Sequence, residues 1–251
     1  MKITDNTILI TGGTSGIGRA LAEALHDLGN CVIVTGRNQV QLDEVASAKP
    51  GLSGLQLDVT DAVSLARFSG QLKEQFPQLN VLIANAGISH AEDMKSDNWS
   101  AEHAASIVQT NIIGVLRVAE CVLPLLKGKS NATFMATSSA LAFVPRADFP
   151  TYCASKAFLH SWLQSLRHQM RDFPIEVLEL SPPYLQTKLT GAQQMSDPRA
   201  MPLAEYVTQV LQVLGAGNTP RGEVLLERDL GRRWAERGGN YDAIFLAMNP
   251  T

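Results

Sequence analysis

The chain has 251 residues, 45% hydrophobic and 18% charged, which excludes disordered, collagen-like and disulfide-scaffold classes and leaves an ordinary globular protein of one or two domains. Twenty-one basic against 24 acidic residues give a formal net charge of -3, with no global positive field to draw the chain onto nucleic acid or anionic lipid, so neither is an expected partner. Three cysteines, Cys31, Cys121 and Cys153, are too few and too widely spaced for a disulfide framework or a zinc site, and no metal is expected.

From Met1 the chain enters a strand-like run, Thr7 to Ile10, without the charged, apolar, small-residue order of a signal peptide, which predicts a cytoplasmic protein. The run ends in Thr11-Gly12-Gly13-Thr14-Ser15-Gly16-Ile17-Gly18, and a helix with Leu21, Leu25 and Leu28 on one face follows at once. A glycine cluster alone can be a mere turn. Between a strand and a helix it lets backbone N–H groups approach a pyrophosphate at the positive helix end, so Gly12, Thr14, Ser15, Gly16, Ile17 and Gly18 are candidate cofactor contacts. The second strand, Cys31 to Val34, leads into Thr35-Gly36-Arg37-Asn38. An acidic residue there would accept from the ribose hydroxyls of NAD and repel a 2′-phosphate. Arg37 instead offers a charged donor fork to that phosphate, so NADP is preferred over NAD, unless Arg37 is only a solvated charge before a helix capped by Asn38.

Strand candidates recur at Leu55 to Leu57, Val81 to Ala84, Ala132 to Met135, Val177 to Leu180 and Glu223 to Leu226, separated by segments of helical length. Most are apolar on both faces. This predicts a doubly wound α/β fold of Rossmann type, about seven parallel strands with helices on both sides, in a single domain over 1–251. The apolar stretch Ile107 to Leu126 carries Asn111, Arg117, Glu120 and Pro124 and reads as a buried helix rather than a membrane span. The irregular segment 184–202 follows a strand late in the chain and is a candidate lid, while 231–251 forms a tail.

Tyr152-Cys153-Ala154-Ser155-Lys156 opens a predicted helix and puts a phenol and an ammonium on one face. A tyrosine titrates near 10, and a neighbouring ammonium that stabilises the phenolate would lower that value and make a proton donor and acceptor. Ser139 lies thirteen residues upstream beside Ser138, the fourth strand ends Asn85-Ala86-Gly87, and Asn111 sits in the apolar helix. In this joint order, from Thr7 to about Leu226, the chain closely resembles the short-chain dehydrogenase/reductase family in its single-domain form of roughly 250 residues.

Carried across position by position, the resemblance implies that Tyr152 is the catalytic acid or base, that Lys156 holds the nicotinamide ribose and lowers the tyrosine pKa, and that Ser139 bonds the substrate oxygen. Asn111 would keep a water that links Lys156 to solvent. Ser138 would be backbone-bonded support. The resemblance also implies that Asp58 and Val59 contact the adenine, that Asn85, Ala86 and Gly87 line the cofactor with Asn85 bracing the central strands, and that Thr187 holds the carboxamide. Asp58 could otherwise cap a helix, and Asn111 could serve a local backbone bond.

In Ser181-Pro182-Pro183-Tyr184-Leu185-Gln186-Thr187, Pro183 stands where the family usually has glycine. Proline fixes φ and removes an N–H, which alters that turn. The Pro-Pro turn, the Thr-Gly-Arg run and the atypical ending resemble a subgroup that includes oxidoreductases named from the bacterial D-alanine transfer operon.

The expected activity is NADP(H)-dependent hydride transfer to or from a small carbonyl or secondary alcohol substrate, the alternative being a catalytically silent NADPH-binding sensor. Ala142, Phe143, Val144, Phe149, Leu189 and Met195 are pocket candidates, and His90 is a loop residue or a polar contact. A homodimer or homotetramer is expected from the resemblance. Leu159, Leu163, Leu166, Val207, Val210 and Leu211 serve either that contact or their own sheet. In the tail, Tyr241, Ile244, Phe245 and Met248 make a short apolar face to cover a site or a partner.

Overall fold

Seven parallel strands form one sheet in the computed structural model, which describes residues 1–250: β1 (Thr7–Thr11), β2 (Cys31–Gly36), β3 (Ser53–Gln56), β4 (Val81–Ala84), β5 (Ala132–Thr137), β6 (Ile175–Leu180) and β7 (Glu223–Val224). They lie in the order β3-β2-β1-β4-β5-β6-β7. Chain direction across the sheet reverses between β1 and β4, and such a switch point opens a crevice at the carboxyl ends of the strands.

Side chains alternate across a strand, so a sheet covered on both sides needs apolar residues at consecutive positions. Leu9, Leu82 and Phe134 pack into one core, and Ile8, Ile10, Ile83 and Met135 pack into the other. The first core lies under α3 (Ala62–Gln75), α5 (Gly114–Leu126) and α6 (Pro150–Gln169), and the second under α1 (Gly16–Asp27), α2 (Gln39–Ala48) and α7 (Leu203–Ala216). Asn38 caps α2 through its side chain, as the alternative reading of the Arg37 turn had it, and Asp61 caps α3.

The helix α4 (Ala101–Val108) continues through a π-helical turn, Gln109–Ile113, into α5. The run Ala101–Leu126 has the length and mean hydropathy, 1.4, of a membrane-crossing helix, yet Val115, Val118, Val122 and Leu126 are buried against the sheet. After β7 come α8 (Leu230–Arg233) and α9 (Tyr241–Met248). The last residue assigned to the tail, Thr251, lies outside the described residues.

β4 keeps its predicted bounds, β1, β2, β5 and β6 run one or two residues longer than predicted, and β3 and β7 differ in kind. Ser53 and Gly54 join β3, because the register against Ile33 and Val34 supplies pairing that their own propensity does not. The chain leaves β7 after Val224 and turns into a 3₁₀ segment at Glu227–Asp229, although Leu226 stays buried. Leu159, Leu163 and Leu166 are buried in one core and Val207 and Val210 in the other, with Leu211 partly buried beside the latter, so the five buried residues face their own sheet.

Candidate active site

The glycine loop closes tightly at the end of β1. Gly12 holds φ +67, and a Cβ there would lie 2.9 Å from Ala86 Cα; a Cβ on Gly18 would lie 2.4 Å from the Gly12 carbonyl oxygen. Glycine is therefore required at both positions, one for conformation and one for close approach. Ser15 opens α1 in extended conformation, no side chain caps that end, and no acidic residue sits in its first turn. The first amides of α1 are thus left for an anion, which suits the pyrophosphate of a dinucleotide. Thr187, at the start of the segment after β6, brings its Cγ2 within 3.8 Å of a Cβ built on Gly16, so the carboxamide candidate stands beside the loop.

Asn85 braces the strands around this crevice. Its Nδ2 donates to the carbonyls of Thr11 at 3.2 Å and Gly12 at 3.3 Å, and its Oδ1 accepts from Thr137 Oγ1 at 3.3 Å. Thr11 returns the contact, its Oγ1 accepting from the amides of Asn85 and Ala86 at 3.0 and 3.1 Å. Thr11 and Thr137 are site supports that the motifs did not single out. Their only sequence signal is a hydroxyl residue at the carboxyl end of an apolar strand.

At the adenosine end Arg37 is exposed, and with Gln56, Asp58, Asp61, Ser64 and Arg67 it lines an open cavity of about 400 Å³. Asp58 is not the helix cap. Its Oδ1 accepts from the Thr60 amide at 2.8 Å and the Thr60 hydroxyl at 2.7 Å. Burial pushes its carboxyl up, but those two bonds and the Arg37 charge outweigh burial and hold it below the ordinary value. Val59 packs on Gly114, where a Cβ would come within 2.7 Å of Val59 Cγ2.

The four catalytic candidates meet where β4 and β5 end. Tyr152 and Lys156, one turn apart on α6, are 8% and 3% exposed, and the Ser139 side chain lies near enough to the Tyr152 phenol to favour its anion. Lys156 Nζ donates to the Thr137 carbonyl at 2.8 Å. Asn111 lies in the π-helical turn, fully buried. Its Oδ1 accepts from the Ile88 amide at 2.9 Å, and its Nδ2 donates to the Ile88 carbonyl and to Ser155 Oγ at 3.0 Å each. That side chain therefore ties the loop after β4 to α6. A Cβ on Gly87 would stand 3.3 Å from Asn111 Oδ1 and 3.5 Å from Lys156 Nζ, so a side chain there would crowd both polar groups.

Two expectations change. Lys156 does not lower the tyrosine: burial pushes the Tyr152 phenol up to about 12 against the favourable Ser139 side chain, and burial brings Lys156 down to about 8. The ammonium is aimed at the Thr137 carbonyl, and both groups lie in surroundings that disfavour charge. Ser138 bonds more than backbone. Its amide donates to the Leu180 carbonyl at 2.8 Å, while its hydroxyl bonds Glu179 Oε1 at 2.5 Å and Ser181 Oγ at 2.7 Å.

Loops close the site. No local side chain caps α6; Glu92, from the segment after β4, accepts from the Thr151 amide and hydroxyl at 2.9 Å each. Nothing in the sequence pointed to Glu92. His90 stacks on His103 at 4.8 Å, so it is engaged in loop packing. Val144 is buried, Leu189 and Met195 are exposed, and Phe143 lies edge-on to His160. The 184–202 segment is pinned by a bridge between Leu185 and Met201 and by buried Gln194, whose Nε2 donates to the Leu185 carbonyl. In the tail, no residue of α9 is buried, but Asn249 reaches back, donating to the Pro145 carbonyl at 3.1 Å and accepting from the Ala147 amide at 2.6 Å.

The sequence pattern of the family described as short chain dehydrogenase matches residues 6–197. The oxidoreductase DltE of Bacillus subtilis (strain 168) is 38% identical over 253 residues, covering 99% of this chain and 98% of that protein. Among solved structures, a short chain dehydrogenase from Burkholderia cenocepacia J2315 in complex with NADP superposes with a TM-score of 0.82 at 23% identity, covering 98% of this chain and 99% of that one. A short chain dehydrogenase/reductase from Burkholderia phymatum in complex with NAD superposes at 0.79 and 21% identity, covering 100% and 98%. The two structures carry the likeness of fold.

Proposed function

The chain belongs to the short-chain dehydrogenase/reductase family, oxidoreductases acting on CH–OH and C=O groups, and from that premise we propose that it transfers a hydride between NADP(H) and a small carbonyl or secondary alcohol. The observation that supports this most is the convergence of Tyr152, Ser139, Lys156 and Asn111 beside a glycine loop whose helix end is left uncapped.

In the direction of reduction, Ser139 holds the substrate oxygen and Tyr152 gives it the hydroxyl proton; in oxidation the proton returns to Tyr152. A bound nicotinamide supplies or accepts the hydride. Lys156, with its pKa near 8, takes up and releases protons close to neutrality, and its ammonium holds the ribose hydroxyls. A water linking Lys156 to solvent on the Asn111 side would be the route by which the site is reprotonated. Gly12 to Gly18 hold the pyrophosphate, Asp58 and Val59 the adenine, Asn85 to Gly87 the wall of the crevice, and Thr187 the carboxamide.

Of the two cofactors bound by the Burkholderia proteins, Arg37 favours NADP, because its side chain is free at the surface and no acidic residue ends β2. Arg37→Asp is expected to weaken NADPH at least about tenfold relative to NADH, as removal of one charged pair implies. Fluorescence titration with both cofactors measures this, and an unchanged ratio removes Arg37 from the assignment.

The working unit in this proposal is a homodimer or homotetramer, to be measured by sedimentation at assay concentration. Activity is tested by NADPH consumption with small aldehydes, ketones and diketones. Turnover of at least one is expected; binding of NADPH with no turnover across the panel would instead make the protein a cofactor sensor.

A further inference from the structure

Behind the catalytic residues lies a buried polar cluster that the mechanism above does not use. Glu179 on β6 is fully buried. Its Oε1 accepts from Ser138 Oγ at 2.5 Å and Ser181 Oγ at 3.2 Å, and its Oε2 meets His160 Nδ1 at 2.7 Å. His160 follows Tyr152 and Lys156 at four-residue spacing, so all three lie along one side of α6. Gln164 Nε2 stands 3.1 Å from His160 Nε2, so the imidazole is held at both ring nitrogens.

His160, Glu179 and Glu223 also offer three ligand atoms within 4.8 Å of one another, a donor set that a divalent cation could use. Both carboxylates are already engaged. Glu223 takes Arg233 Nε and Nη2 at 2.8 Å each, and Glu179 has its two hydroxyls and the imidazole. Arg167 donates to the Val177 carbonyl nearby and adds a second guanidinium. With two carboxylates against two guanidinium groups, the acidic charge of the cluster is met without an ion.

A carboxylate buried at that expense does something an apolar side chain cannot: it joins two elements by directional bonds. We propose that Glu179 and His160 form a positioning pair that sets Ser139 against Tyr152. The carboxylate holds Ser138, the immediate neighbour of Ser139, at the end of β5, and the imidazole ties the same carboxylate to the helix that carries Tyr152. Phe143, edge-on to His160 at 5.1 Å, extends the link to the loop between Ser139 and Tyr152. The inference rests on Ser139 and Tyr152 being the reacting pair.

The test labels the four tyrosines, Tyr152, Tyr184, Tyr206 and Tyr241, with ¹³C at Cζ and assigns Tyr152 from Tyr152→Phe. Ser138→Ala and Glu179→Gln are expected to shift the Tyr152 resonance and leave that of Tyr241 in place, and Ser138→Thr is expected to restore it. On any carbonyl that the wild type reduces, the first two variants should lose about tenfold or more in kcat with NADPH affinity unchanged. A folded Ser138→Ala protein whose Tyr152 resonance, or whose kcat, matches wild type overturns the proposal. Should Glu179→Gln not fold, Ser138→Ala decides, since it leaves Glu179 with Ser181 and His160. If the wild type turns over no carbonyl, the proposed function fails, and the tyrosine resonances still decide on the positioning pair.

Discussion

Lys156 shows what the site costs at the scale of one residue. Burial lowers it to about 8 from the ordinary lysine value of 10.5. Below pH 8 the folded and unfolded chains both carry the proton, and the folded chain bears the whole penalty of a buried ammonium. Between pH 8 and 10.5 the unfolded chain binds more protons, so stability rises with pH. Lys156→Met should therefore stabilise the fold at pH 7 by on the order of 2 kcal/mol, the lost bond to Thr137 being set against the relieved charge, and the gain should shrink by pH 9.5. Urea unfolding at both pH values measures it, and a variant less stable than wild type at pH 7 would contradict the sign. The spacing of Tyr152 and Lys156 was readable from the sequence because helix geometry alone puts them on one face. The direction of the tyrosine shift was not, because it depends on how deeply the phenol is buried, and burial is decided by segments far along the chain.

At the scale of elements, the glycine loop and the strand-to-helix transition were legible, since φ above zero and close backbone approach leave glycine as the residue that fits. Gly18→Ala would press a methyl group against the Gly12 carbonyl and Asn85, and NADPH affinity is expected to fall about 100-fold, the loss of a few kcal/mol. Unchanged affinity in a fluorescence titration would remove the loop from the binding site. The start of α6 was not legible in the same way. Phe149 offers no cap, and the partner, Glu92, lies 59 residues before Thr151 in a segment without pattern. Glu92→Ala should cost about 1–2 kcal/mol in urea unfolding, as cap removals do. No loss of stability would mean that the helix end is satisfied by water. The π-helical turn at Asn111 was equally hidden, because it needs Ile88 and Ser155 from two other elements to hold it.

Over the whole molecule, strands apolar on both faces announced a parallel sheet between two layers of helices, while the order of the strands emerges only in the fold. Candidate contacts between copies were not separable from core residues by periodicity, and the buried leucines of α6 proved to serve their own sheet. The tail was the least readable part, because its contacts are long-range. Arg233 pairs with Glu223 and stands 5.0 Å over Phe143, and Asn249 grips Pro145 and Ala147, so the tail holds at two points the loop that links Ser139 to Tyr152. Removing residues 231–251 should raise KM for a carbonyl substrate while leaving NADPH affinity unchanged; steady-state kinetics with an unaltered KM would show that the tail does not shape the substrate site. The central claim, that Tyr152 delivers the proton in an NADPH-dependent carbonyl reduction, is tested most directly by comparing kcat and NADPH affinity between wild type and Tyr152→Phe. The expected result is a fall in kcat of about 10³-fold or more with NADPH affinity within about threefold of wild type; near-wild-type turnover by Tyr152→Phe would contradict that role.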